Sequence, residues 1–232
     1  MTPVPPSTTP PVTDRDSWQR ELDRLLVREK AHTREGDALA AERRRLPMVE
    51  VPASATIVGA DGEVPFLDAF EGRRLLVGYF HMWHDGHSAA GQCEECTFST
   101  AQMQVPEYLN SRDVTLAVFT EGTYEESRPY SDWLGYRLPW WSARDSEVVA
   151  GREFGFFACF LRDDDGRVFE TYWTTGRGTE VADWSYGLLD LTVYGRQEQW
   201  QDSPPGWPVL AEGESPWRVD GRPTIQWRVL EA

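Results

Sequence analysis

The chain has 232 residues, 40% of them hydrophobic, enough for one sizeable core with added terminal segments. Its formal net charge of −15 repels nucleic-acid phosphates and anionic lipids, so neither is an expected partner. No apolar run approaches the roughly 20 residues that span a bilayer, and the opening MTPVPPSTTPPVTD lacks the basic and apolar regions of a secretory signal, so the expected location is cytoplasmic.

Residues 1–13 are rich in Pro, Thr and Ser, bury too little apolar surface to offset the entropy of ordering, and are expected to be disordered. Residues 14–47 read as an N-terminal helical extension capped by Asp16 or Ser17. Trp18, Leu22, Leu25 and Leu26 share one helical face, and the pattern continues weakly through Ala31 and Leu39. A break at Gly36 and an end at Pro47 are expected, with the helix docked on the main domain or, alternatively, binding a partner.

The main domain is expected over 48–195. Short strands near Val49–Val51 and Thr56–Val58 precede a turn at Asp61-Gly62. Arg74 to Phe80 is a strong strand, followed by a His-rich loop and Cys93-Glu94-Glu95-Cys96. A helix from Thr97 to about Asn110 turns Phe98, Met103 and Val105 inward, with an interruption at Pro106. Val114–Phe119 is a second buried strand and Tyr124–Leu134 a helix. Phe154–Leu161 and Arg167–Trp173 form a hairpin around Asp163-Asp164-Asp165-Gly166. Residues 196–232, rich in Trp and Pro, read as an irregular C-terminal extension packed on the domain. This order predicts an α/β fold, a mixed sheet flanked by helices, and resembles the thioredoxin layout.

A strand that runs through a loop into Cys-x-x-Cys at a helix start has a physical meaning. The unpaired N–H groups and partial positive charge of the helix end stabilise a thiolate at Cys93. Cys96, one turn further in, is placed to resolve a mixed disulfide. Glu94 and Glu95 favour the helix but disfavour the neighbouring thiolate. His81, His84 and His87 offer another reading: two imidazoles with the two thiolates would complete a tetrahedral zinc site, and a single His would assist the thiol. Of the three, His84 and His87 are the better placed. Cys159, within Phe156-Phe157-Ala158-Cys159-Phe160, is expected to be a small buried hydrophobe.

Several stretches resemble the bacterial domain-of-unknown-function 899 family. They are Leu75-Leu76-Val77 with Tyr79-Phe80, Cys93 and Cys96 followed by Thr97-Phe98, Arg112-Asp113-Val114, and Gly135 with Pro139-Trp140. Arg167-Val168-Phe169, Thr171-Tyr172, Arg177-Gly178 and above all YGLLDLTVYGRQE from Tyr186 to Glu198 extend the likeness, as does Leu25 to Pro47. The resemblance implies a thioredoxin-like dithiol-disulfide oxidoreductase, with the family's cysteine pair on Cys93 and Cys96 and no cofactor. Its partner would be a disulfide-bearing protein or a small thiol, and the oligomeric state stays open, a homodimer among the options. Glu94-Glu95 and the His-rich loop depart from the family's commoner form. The layout after Leu138 also looks peroxiredoxin-type, through Pro139-Trp140-Trp141-Ser142, Arg144-Asp145-Ser146, Phe154-Gly155 and Asp163 to Gly166. A thiol peroxidase is therefore an alternative, although Ala90 stands where that chemistry usually has Thr.

Overall fold

The structure, a computed structural model, describes residues 9–230; residues 1–8 of the segment expected to be disordered lie outside the described residues. The described chain groups into two compact units. Residues up to Pro47 group with Leu188–Glu212, and Met48–Gly187 group with the residues from Gly213 onward. The C-terminal stretch expected as one extension is thus shared between them.

In the first unit, helix α1 spans Arg15–Arg43. Its cap is Asp14, not Asp16 or Ser17: the Asp14 carboxylate accepts the Ser17 N–H at 2.9 Å and the Ser17 hydroxyl at 2.7 Å. The helix runs unbroken through Gly36, since one glycine costs only about 1 kcal/mol, and it stops at Arg43, short of Pro47. No α1 residue is buried, and Trp18, Leu25 and Leu26 stay exposed, against the expected apolar seam. In the 188–212 segment, Arg196 pairs with Asp190 at 2.8 Å and Tyr194 meets Trp207 edge-on at 5.4 Å.

The second unit holds an eight-stranded sheet. Its strands are β1 (Val49–Glu50), β2 (Thr56–Gly59), β3 (Gly62–Pro65), β4 (Leu75–His81), β5 (Val114–Thr120), β6 (Trp140–Ser142), β7 (Phe156–Arg162) and β8 (Val168–Thr175), in the order β1-β8-β7-β4-β5-β6-β2-β3. β4, β5 and β6 are parallel, and the β7–β8 hairpin joins the other side of β4 antiparallel. The crossovers carry α2 (Glu94–Gln102), α3 (Glu107–Asn110) and α4 (Tyr124–Leu134). A parallel β-α-β pair beside an antiparallel hairpin is the thioredoxin-like arrangement, and the extra strand β6 after α4 makes it peroxiredoxin-type. The expected Thr97–Asn110 helix is two helices, because Pro106 cannot continue the first but fits the start of the second. Val105 in the break is exposed. Beyond the hairpin lie α5 (Trp184–Leu189), β9 (Arg218–Val219), β10 (Arg222–Pro223) and α6 (Trp227–Leu230).

β4 and β5 are covered on both faces, so residues alternate between two cores. Leu76, Phe80, Ala117 and Phe119 face Phe66 and Phe70. Tyr79, Leu116 and Val118 face the other way, against Cys96 and Met103 from the α2 region and Tyr130 and Leu134 of α4. That second face carries the cysteines. Gly78 points to the first face, where an added Cβ would sit 2.7 Å from the Phe119 ring. Gly78→Ala is therefore expected to destabilise the fold by about 1–3 kcal/mol through overpacking, read as a lower denaturant midpoint at unchanged slope.

Candidate functional site

β4 delivers the chain into a loop that ends at Cys93, the N-cap of α2. Cys93 Sγ accepts the Cys96 N–H at 3.4 Å, so it occupies the place of a capping oxygen at the positive end of the helix. Cys93 is 9% exposed and Cys96, one turn in, is 2% exposed. Both are free thiols. Cys96 Sγ also accepts the Met82 N–H at 3.4 Å.

These contacts divide the charge between the two sulfurs. The hydrogen bond from the Cys96 thiol lowers the Cys93 pKa most; burial opposes it, the Cys96 N–H adds to it, and the charges of Glu95 and Glu94 oppose it. The result is about 7, below the ordinary thiol range. Cys96 moves well up, because its proton is held against the Cys93 thiolate and the group is buried; Tyr79 and the Met82 N–H counter this in part. Cys93 is thus the sulfur of the pair that ionises first, while Cys96 keeps its proton.

The geometry is braced from behind. Thr97 Oγ1 donates to the Cys93 carbonyl at 2.7 Å and pairs with the Tyr130 hydroxyl at 2.8 Å. Gln226 Nε2 reaches the same hydroxyl at 3.0 Å and the Ala89 carbonyl at 2.8 Å. The buried Gln92 side chain accepts from His84 N at 3.0 Å and donates to the His84 and His87 carbonyls at 3.0 and 3.2 Å. Arg218 clamps the approach to Cys93: Nη1 donates to the Ala90 and Gly221 carbonyls at 2.7 and 2.9 Å, and Nη2 to the Gln92 carbonyl and the Glu94 carboxylate, both at 3.0 Å. Burial pushes the Glu94 carboxyl up, but the hydrogen bond and charge of Arg218 help hold it below the usual carboxylate range. The glutamate beside the thiol is thus largely compensated.

The histidines take other places. His81 is fully buried, and burial drives its pKa down to about 4, so it is neutral. Its Nδ1 donates to the Met82 carbonyl at 2.7 Å, while Nε2 has no partner. His84 Nδ1 lies 2.9 Å from the Gly91 carbonyl, and the His84 and His87 rings are 5.4 Å apart. Among the described residues no group of three or more His, Cys, Asp or Glu side chains could hold a metal ion. Cys159 lies on β7 opposite Val77, half-buried rather than buried, with its pKa pushed up to about 11 by burial and by Glu170.

Tyr79, Gln92, Thr97, Tyr130, Arg218 and Gln226 were not among the site residues expected from the sequence. Gln92 and Thr97 flank the motif and carried a positional signal. Arg218 and Gln226 carried none.

Fold and site define the class, a thioredoxin-like protein with a Cys-x-x-Cys motif at a helix start. The sequence profile of the family described as bacterial protein of unknown function (DUF899) matches residues 7–220, and the chain belongs to that family. No curated protein matches it in sequence. Among solved structures it is similar to a thioredoxin-like protein from Aeropyrum pernix, at 16% identity over 68% of this chain and 98% of that one, TM-score 0.36. It is also similar to peroxiredoxin Q from Xanthomonas campestris, at 13% identity over 59% of this chain and 94% of that one, TM-score 0.36. The strand order and helix placement, rather than these scores, define the fold. No helix among the described residues is long and apolar enough to cross a membrane.

Proposed function

We propose that the protein exchanges dithiol and disulfide with a disulfide-bearing protein or a small disulfide in the reducing cytoplasm. The Cys93 thiolate attacks one sulfur of the substrate disulfide, and the other leaves as a thiolate. Cys96 then gives up its proton and attacks Cys93 Sγ. The mixed disulfide breaks, and the second substrate sulfur leaves as a thiolate. Two electrons pass to the substrate, the protein is left with a Cys93–Cys96 disulfide, and the cycle needs no cofactor.

The observation that carries this reading is the position of Cys93 Sγ at the N-cap, where it accepts the Cys96 N–H while Cys96 is buried one turn further in. The test is a redox titration with alkylation of free thiols and mass spectrometry. Cys93 and Cys96 are expected to lose reactivity together at a single midpoint, with Cys159 modified independently of it. If no Cys93–Cys96 disulfide forms at any potential, the proposal is wrong.

A further inference from the structure

We propose that an aromatic cavity beside the cysteine motif binds an alkylated ammonium group, and that it holds that end of a small substrate disulfide while Cys93 attacks. The second half rests on the dithiol reading above; the first does not.

The cavity has a volume of about 260 Å³ and lies between the loop after β4 and helix α4. Three aromatic rings line it, Trp83 from the loop and Tyr130 and Trp133 from α4. The Trp83 and Tyr130 rings are 5.6 Å apart at 74°, and those of Tyr130 and Trp133 are 6.0 Å apart at 51°, so the rings line the space at different angles instead of stacking. Two of them are fixed in place. The Tyr130 hydroxyl is bonded to Thr97 and Gln226 at 2.8 and 3.0 Å. Trp83 sits so close to Gly122 that a Cβ there would lie 2.5 Å from its ring.

Glu126 is the acidic residue of the lining. It is exposed, and its Oε1 accepts the Gly86 N–H at 2.7 Å, which fixes the carboxylate at the rim. Among the described residues no ion pair engages it, and Arg144, which feels its charge, is bonded to Asp85.

This chemistry selects a cation. Aromatic faces carry negative charge and attract cations, most strongly where water is excluded, and Trp83 and Tyr130 are 7% and 5% exposed. The rim carboxylate adds the matching charge, and a net charge of −15 favours cations over the whole surface. A primary ammonium is strongly hydrated and needs acceptors for three donors. The cavity is poor in them, because the Gln92 amide in its lining is taken up by His84 and His87 backbone groups. Alkyl groups on the nitrogen replace those donors with carbon surface that suits the rings.

The cavity is tied to the nucleophile. Gln92 immediately precedes Cys93. Tyr130 is bonded to Thr97, which donates to the Cys93 carbonyl at 2.7 Å, and Trp83, Tyr130 and Cys93 belong to one packed cluster. A disulfide anchored by its ammonium end has lost much of its orientational freedom before Cys93 attacks.

The experiment titrates the reduced full-length protein with choline, followed by proton NMR. His87 also lines the cavity, so the titration is run at pH 8, above the ordinary imidazole range. Saturable binding is expected, with the choline methyl signal moved upfield by the ring currents. The neutral isostere 3,3-dimethylbutan-1-ol, and ethanolamine, which has the charge without the methyls, should each bind at least roughly tenfold more weakly. Trp133→Leu should weaken choline binding roughly tenfold. Glu126→Gln, on the surface, should weaken it roughly two- to fivefold and decides if Trp133→Leu fails to fold. No saturable choline binding, equal binding of the neutral isostere, or choline affinity unchanged in Glu126→Gln overturns the site. Equal binding of ethanolamine overturns the alkylated class.

A second measurement places the site at the thiol. In Cys159→Ser, the Cys93 thiolate attacks the sulfenyl sulfur of a methanethiosulfonate and methanesulfinate leaves. The reagent carrying a trimethylammonium-ethyl group should react roughly tenfold faster than the neutral methyl reagent, and excess choline, but not equal sodium chloride, should remove that advantage. An advantage that choline does not remove overturns the link to Cys93. If Cys93 is labelled but no Cys93–Cys96 disulfide follows, the dithiol reading fails while the ammonium site stands.

Discussion

Cys93→Ser is expected to abolish disulfide exchange, while Cys96→Ser keeps the first attack and accumulates mixed disulfide. Serine at 93 has no ionised sulfur to offer, and Cys96 is too buried, with too high a pKa, to replace it. Serine at 96 still donates a hydrogen bond to the Cys93 thiolate but cannot form a disulfide. Cys96→Ala removes that donor as well, so its Cys93 pKa should lie above that of Cys96→Ser, because the Cys96 side chain is the largest cause of the lowering. Ultraviolet thiolate absorbance against pH measures the difference, and intact-mass spectrometry counts the trapped adducts. Equal activity of Cys93→Ser and wild type would remove Cys93 as the nucleophile.

The same depressed thiol sets a pH dependence of stability in the reduced protein. The unfolded Cys93 ionises near 8.5, the folded one near 7. Between about 7 and 8.5 the folded state binds fewer protons, so stability rises with pH across that window and the gain is lost as pH falls through 7. The disulfide form has no such thiol and should lack this rise.

Arg218→Met is expected to have the second large effect. The guanidinium serves three backbone carbonyls and the Glu94 carboxylate at once, and its side chain is 24% exposed. Methionine keeps most of the stem but leaves these acceptors without their donor. The expected loss is about 2–3 kcal/mol, read as a drop in Tm of roughly 4–12 °C at this chain length. Glu94 would then bear an uncompensated charge beside Cys93, which raises the thiol pKa and slows the first attack at neutral pH. Adding Glu94→Gln should restore the pKa but not the Tm. Arg218→Lys should recover only part of either, since an ammonium cannot span the same fork of acceptors. An unchanged Cys93 pKa in Arg218→Met would show that the clamp does not set the charge at the thiol.

The sheet was legible because β4, β5 and the β7–β8 hairpin are apolar runs with polar turns between them, and α4 begins at a Thr123 cap and ends at Gly135 in the left-handed region. The cysteine motif was legible for a related reason: a buried strand followed by a helix leaves few places for the residues between. Which face of β4 meets the motif was hidden, because both faces are buried and the period-two pattern vanishes. Tyr79 therefore looked like any other core aromatic. Arg218 and Gln226 were hidden because they act from a stretch with no period. The apolar spacing in α1 promised a seam, but in 29 residues crowded with charge it did not bury Trp18, Leu25 or Leu26.

Arg218 follows Glu94 by 124 positions. During synthesis, at about 5–20 residues per second, the arginine emerges roughly 6–25 seconds after the cysteine motif. Over that interval β4 and α2 can form, but the Ala90 and Gln92 carbonyls face water and Glu94 has no counter-charge. The nascent chain thus carries both sulfurs before it carries the group that completes their electrostatic setting. Full nucleophilicity arrives late in translation, after the strands and helices that shield Cys96 have been made.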